Sequence, residues 1–236
     1  MRARLLNLAV GPLVLAAGCM NGPSGVRPPP AAGAKSGPEQ AIAAVKKRGG
    51  DVKVDPAGEG KPVVSADLHR LRDAPAVLAT LGPLTKVRAL NLYDTGFTDA
   101  DLERLRGLPE LETLNLSATQ ITDAGLALLP GLPKLRVLHL NNTAVSDAGL
   151  QPLRGVTNLQ ELALVNTRVT DEGLAYLGGL KRLEKLTLGG PAITDRGLAA
   201  LRGLPELRDL DLFGTRVTDA GVRQLKAALP HLRVMR

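Results

Sequence analysis

The chain has almost no aromatic residues: no Trp, two Tyr and two Phe in 236 residues. That scarcity excludes the aromatic interleaving with which nucleic-acid-binding surfaces stack bases, and no nucleic-acid partner is expected. Its one cysteine, Cys19, rules out an internal disulfide. Histidine is scarce as well: His69, His139 and His231 are scattered, with no ligand partner at metal-binding spacing. No nucleophile elbow, phosphate loop or H-E-x-x-H occurs anywhere. Long apolar runs are also missing. The longest, Leu5 to Ala17, is interrupted by Gly11 and Pro12 and is too short to span a bilayer comfortably. No enzyme activity and no cofactor are expected from such a sequence.

What is present is leucine at a fixed period. Val87, Leu111, Leu135, Leu159, Leu183 and Leu207 each open a copy of one phrase, 24 residues apart, and a seventh copy is cut off after its opening words. A period of this length means a solenoid. Each copy begins L-x-x-L-x-L, the alternation of a short strand that turns two leucines to one side. Phe97, Ile121, Val145, Val169, Ile193 and Val217 follow a turn, and leucines such as Leu126, Leu129 and Leu132 then recur at helical spacing. Thr98, Thr122, Ser146, Thr170, Thr194 and Thr218 stand where N-caps belong. Gly107, Gly131, Gly155, Gly179 and Gly203 stand where a left-handed C-cap would go. Thr95, Thr119, Thr143, Thr167 and Thr215 form a further column whose hydroxyls are expected to bond backbone of the neighbouring coil. Pro191 interrupts that column, which makes the fifth copy the expected weak point. One copy cannot fold alone, so stacking through a continuous leucine core must stabilise the array.

The motif L-x-x-L-x-L-x-x-T-x-[IV]-[TS]-D-x-G-L resembles the leucine-rich repeat family, most closely its ribonuclease-inhibitor-like and cysteine-containing types. The resemblance covers about 150 residues. It implies an α/β fold: a right-handed horseshoe with a parallel concave sheet and short convex helices. It also implies a protein that acts by binding partners rather than by catalysis.

An aspartate follows each N-cap: Asp99, Asp123, Asp147, Asp171, Asp195 and Asp219. Stacked about 5 Å apart, such carboxylates could hold Ca²⁺. Yet no Asp-rich calcium loop surrounds them, and an aspartate in a first helical turn offsets the positive end of the helix dipole. No metal is expected. The net charge of +7 includes Arg2 and Arg4. Arg106, Arg154, Arg202 and Lys226 share one repeat position near the helix C-terminus, where the same dipole favours cations.

Residues 1–18 read as a signal peptide, with Arg2 and Arg4 ahead of the apolar run. Leu15-Ala-Ala-Gly18-Cys19 resembles a bacterial lipobox, which implies acylation of Cys19 and a lipid-anchored protein of the cell membrane or outer membrane. An ordinary secretory signal cleaved near Ala17 or Gly18, or an uncleaved anchor, are the alternatives. Residues 19–37, rich in Pro, Gly and Ala, read as a tether. Residues 38–86 read as an N-terminal cap: a helix over Glu39–Arg48 burying Ile42 and Val45, a hairpin of Asp51–Val54 with Val63–Leu68 turning at Pro56–Gly60, and a degenerate copy carrying Leu71, Leu78, Leu81 and Leu84. Residues 87–236 hold the six repeats and the partial one.

The outward strand positions define the candidate partner-binding face: Asn91, Tyr93, Asn115, His139, Asn141, Glu161, Lys185, Asp209, Asp211 and Phe213. Tyr93 and Phe213 share one column at opposite ends and are the candidate anchors, since aromatic residues concentrate binding energy. An unidentified protein is the first expected partner and an envelope glycan the second. A ubiquitin-ligase-type adaptor is disfavoured, because residues 20–60 leave no room for an F-box domain. A spacer with no specific partner is the remaining reading.

Overall fold

Leucine alternating with polar residues produces one strand per copy. In the computed structural model, which describes residues 38–55, 62–80 and 85–236, the strands run in chain order. They are β1 (Asp51–Val54), β2 (Val63–Asp67), β3 (Ala89–Asn91), β4 (Thr113–Asn115), β5 (Val137–His139), β6 (Glu161–Leu164), β7 (Lys185–Gly189), β8 (Asp209–Phe213) and β9 (Arg233–Met235). Among the described residues they form one nine-stranded sheet in the order of the sequence. β1 and β2 pair antiparallel as a hairpin, and every later pair is parallel. The register is the repeat itself: Leu90, Leu114, Leu138, Leu162, Leu186 and Leu210 face one another in a row. All of these leucines are buried, as are Leu92, Leu116, Leu140, Leu164, Leu188 and Leu212 one step on.

Behind the sheet the chain returns through short helices. α3 (Asp123–Leu126), α4 (Asp147–Leu150) and α5 (Asp171–Leu174) are single turns that tighten into 3-10 turns, whereas α6 (Asp195–Leu201) and α7 (Asp219–Ala228) are longer. The first copy is 3-10 throughout, over Asp99–Gly107. Thr122, Thr170 and Thr194 accept an N–H from two residues on, and Thr218 from three residues on, as N-caps do. Strand leucines and helix leucines meet in a single core that runs the length of the array.

The aspartate column does more than face a helix dipole. Asp99 accepts from the backbone N–H (2.9 Å) and hydroxyl (2.5 Å) of Thr122 in the next coil. Asp123 does the same for Ser146, Asp147 for Thr170, Asp171 for Thr194 and Asp195 for Thr218. Glycine in the following turn leaves room for each carboxylate. A Cβ on Gly125, Gly149, Gly173, Gly197 or Gly221 would overlap the Oδ1 of the aspartate one coil back. Each D-x-G from Asp123 to Gly197 therefore serves two coils: its aspartate staples the coil ahead, and its glycine admits the aspartate from behind.

Three local expectations are corrected. The threonine column bonds within its own coil, Thr95 to the Leu92 carbonyl (2.8 Å) and likewise through Thr215 to Leu212 (3.2 Å), so Pro191 breaks no ladder between coils. The glycines at the helix ends are not left-handed. Each of these helices closes instead by a 3-10 bond, such as Leu132 N–H to the Leu129 carbonyl (2.9 Å), and the chain continues into the next strand. Neither φ nor space requires glycine at Gly107, Gly131 or Gly179, where a Cβ would meet nothing. The left-handed column lies just after the strands, at Arg70, Asp94, Ala118, Asn142, Asn166, Gly190 and Gly214.

Arg70 stands 24 residues before Asp94 and shares its backbone conformation, so the degenerate copy keeps register. Its amide bonds the Tyr93 carbonyl (2.8 Å), as the Asp94 amide bonds that of Ser117 (3.0 Å). Ahead of it, α1 (Pro38–Lys47) buries Val45 and rests Ile42 on the core, and Arg48 reaches Asp73 at 2.5 Å. α2 (Ala74–Thr80) buries Ala74 and Val77. The signal and tether segments with Cys19, the Pro56–Gly60 turn, Leu81 and Leu84 lie outside the described residues, as does the side chain of Leu78.

Candidate functional site: the outer face of the sheet

Because strand side chains alternate, the residues between the core leucines project from the sheet in columns. The N-terminal half of this face is mostly polar, with its charged groups confined to the hairpin end. Asp67, Asn91, Asn115 and His139 form one column across β2 to β5. Asp67 accepts from the Asn91 amide (3.0 Å) and contacts His69 (2.8 Å). The Asn91 and Asn115 oxygens each accept an N–H two residues on, from Tyr93 and Ser117. Asn141 reaches forward to the Val165 N–H (2.8 Å). These asparagines therefore hold the turn after the strand, and part of each amide is already used. A hollow of about 440 Å³ opens here, lined by Asp51, Lys53, Asp67, Asn91, Asn115 and His139 among others.

The C-terminal half is charged. Glu161, Lys185, Asp209 and Arg233 succeed one another across β6 to β9. Lys185 meets Glu161 at 3.0 Å, and Arg233 meets Asp209 at 2.7 Å. His139 Nε2 also contacts Glu161, at 3.1 Å. Burial alone would raise the Glu161 carboxyl. The hydrogen bonds from Lys185 and His139 outweigh it and hold the group below the usual glutamate range. Asp211 has no side-chain hydrogen bond or ion pair among the described residues.

The ten candidate residues do share one face, but not one pocket. Tyr93 is half-buried beyond the end of β3, and Phe213, 65% exposed, closes β8. Five strand spacings of ~4.8 Å separate them, roughly 24 Å, so a small ligand cannot touch both. Sequence reasoning did not include Asp51, Lys53 and Asp67, because the hairpin that brings them to the hollow has no place in the repeat. Among the described residues no group of three His, Cys, Asp or Glu side chains is placed to hold a metal ion, and no helix is long and apolar enough to cross a membrane. On the helical side the basic column is occupied in varied ways. Arg106 pairs with Glu103 (3.0 Å), Arg154 lies over the Tyr176 ring (4.6 Å), and Arg202 donates to Gln224 (3.3 Å).

With this geometry in place, the likeness to known proteins is specific. A family model described as Leucine Rich repeats (2 copies) matches residues 109–154, and a second, Leucine Rich repeat, matches residues 157–178. Internalin C2 from Listeria monocytogenes is similar in structure, with a TM-score of 0.58 and 25% identity, over 83% of this chain and 92% of that one. The plant peptide hormone receptor RGFR1, in complex with RGF2, aligns at a TM-score of 0.44 and 16% identity, over 66% of this chain and 25% of the receptor. No curated protein sequence gives a match.

Proposed function

We propose that this leucine-rich-repeat protein is a non-enzymatic binding module that engages another protein through the outer face of its sheet, held at a bacterial cell envelope by a lipid on Cys19. The observation that carries the binding reading is the division of labour within each coil. Core leucines and the Asp–Thr staple complete the packing, which leaves the sheet face free to vary from strand to strand. Its polar centre with one exposed aromatic at the edge suits a protein surface better than a small metabolite. The likeness to internalin C2 spans 83% of this chain and 92% of that one, and a shared repeat architecture of this kind supports a binding surface.

A photoreactive residue at His139, crosslinked in intact cells, should capture one abundant polypeptide. Capture of nothing above a helical-side control at Arg154 removes the reading. The anchor is tested separately. Cys19→Ser should abolish incorporation of labelled fatty acid and leave unprocessed precursor. A wild-type protein that takes up no label is secreted or anchored otherwise. An envelope glycan is the second reading, favoured by the 440 Å³ hollow and its Asn91, Asn115 and Asp67 lining. Binding of a soluble oligosaccharide that Asn115→Ala abolishes would establish it.

A further inference from the structure

The charged half of the sheet face is not balanced. From β6 to β9 it presents three carboxylates, Glu161, Asp209 and Asp211, against two cations, Lys185 and Arg233, and both cations are engaged by the first two acids. Asp211 is left over, with no partner among the described residues. Two residues along the same strand and on the same face stands Phe213, 65% exposed. The strand rise places their Cα atoms about 6.6 Å apart. In its column Asp211 stands between Thr187, followed by the buried Ala163, on one side and the exposed Met235 of β9 on the other. A free carboxylate and an exposed ring thus stand together, with small side chains toward β6 and Met235 toward the sheet edge.

We infer that Asp211 and Phe213 form a receptor for an arginine side chain of the protein partner. A guanidinium can lie on a ring face within about 6 Å of its centroid while donating two N–H groups to a carboxylate. The i, i+2 spacing offers both at once. An ammonium would satisfy the charge but not the flat stacking surface, so arginine is preferred to lysine. An acidic or purely apolar segment would leave Asp211 uncompensated. The inference rests on the reading of the sheet face as a protein-binding surface and adds the chemistry of one contact.

The probe is tri-arginine peptide, titrated into the full chain and followed by NMR, with tri-lysine and tri-glutamate alongside. Tri-arginine should shift the amides of Asp211, Phe213 and Thr187 first, bind at least three-fold tighter than tri-lysine, and leave tri-glutamate without effect. Asp211→Asn should weaken it five-fold or more, and Phe213→Leu about three-fold. Asp51→Asn removes the same charge at the far end of the face and should change nothing. Equal weakening by Asp51→Asn means diffuse attraction and overturns the inference, as does equal affinity for tri-lysine. Self-association that Asp211→Asn abolishes would make the occupant a second copy and also overturns it. In the crosslinking experiment, capture from His139 undiminished by Asp211→Asn sinks this contact but leaves the protein-binding reading standing. Localised tri-arginine binding without any capture supports the contact and sinks that reading.

Discussion

The stapling turn behind the sheet and the outer face of the sheet share one 24-residue period, yet they treat it differently. In the turn the chemistry recurs almost unchanged: Asp147 on Thr170 at 2.7 Å is matched by Asp171 on Thr194 at 2.8 Å. On the face, equivalent positions run Ala89, Thr113, Val137, Glu161, Lys185, Asp209. The turn is repetitive because each coil must fit the next by the same hydrogen bonds. The face has no neighbour to fit, so its residues are released from the repeat. Two ends of the turn show how strictly the rule is kept. The Asp171 side chain, inside the array, is 8% exposed, whereas that of Asp219, in the last helix, is 72% exposed and is met by Arg236 instead of a threonine. At the other end, Thr98 has no aspartate 23 residues before it, since Pro75 occupies that position. There Asp101 takes the place of the glycine and bonds both Thr98 groups itself, at 3.1 and 2.8 Å.

The largest effect should come from crowding the staple. Gly173→Ala places a methyl where the Asp147 carboxylate sits. In an exposed helix this exchange would stabilise by about 1 kcal/mol. Here it should destabilise by about 2–4 kcal/mol, because a carboxylate with two hydrogen bonds is displaced and the Thr170 groups it served are left unpaired. Chemical denaturation of Gly173→Ala, Asp147→Ala and the double variant measures the coupling directly. The double variant should be clearly less destabilised than the two singles combined. Simple additivity would mean that the glycine is not there for the aspartate, and the distinction between turn and face would lose its basis.

Strands, turns, helices and the leucine core were legible in the sequence because each rests on local periodicity. The staple was not, since Asp147 acts on a residue 23 positions away and its local setting offered an adequate role in the helix dipole. The signal was nonetheless present: each glycine at Gly125, Gly149, Gly173, Gly197 and Gly221 follows an aspartate 26 residues earlier, and the one copy without such an aspartate has Asp101 instead. The left-handed column was equally visible in Asp94, Asn142, Asn166, Gly190 and Gly214, residues that tolerate positive φ. Gly107 and its equivalents mask it, because glycine after a helical run is the usual mark of a left-handed helix ending. On the face, the period tells which side chains point outward but not what they meet. The hairpin's contribution and the isolation of Asp211 arise only in the folded chain, from residues outside the repeat and from pairings across strands.

A smaller effect should separate the first coil from the rest. Asp101→Gly restores the repeat consensus, yet no upstream aspartate exists to use the space. Thr98 would lose both partners, for an expected cost of about 1–2 kcal/mol. Asp101→Asn keeps an acceptor oxygen and should recover part of it. If Asp101→Gly is neutral by thermal or chemical unfolding, the first coil does not need the staple and the comparison holds only for interior coils.

The smallest effect belongs to the face itself. The Glu161 carboxyl is held below its ordinary range in the folded chain by Lys185 and His139, against the opposing influence of burial. A depressed folded value contributes stability above the unfolded glutamate pKa of about 4.3, and that contribution is lost as pH falls through the lower folded value. Wild type should therefore exceed Glu161→Gln slightly at pH 7, by less than about 1 kcal/mol because the cluster is partly solvated. The gap should narrow as pH falls below about 4.3 and vanish once pH passes the lower folded value, where the carboxylate is protonated in both states. Denaturation midpoints of the two proteins from pH 7 to pH 3 decide it. A gap as large as that for Asp147→Ala would give the face a structural duty equal to the turn's, and a gap that widens on acidification would reverse the sign assigned to Glu161.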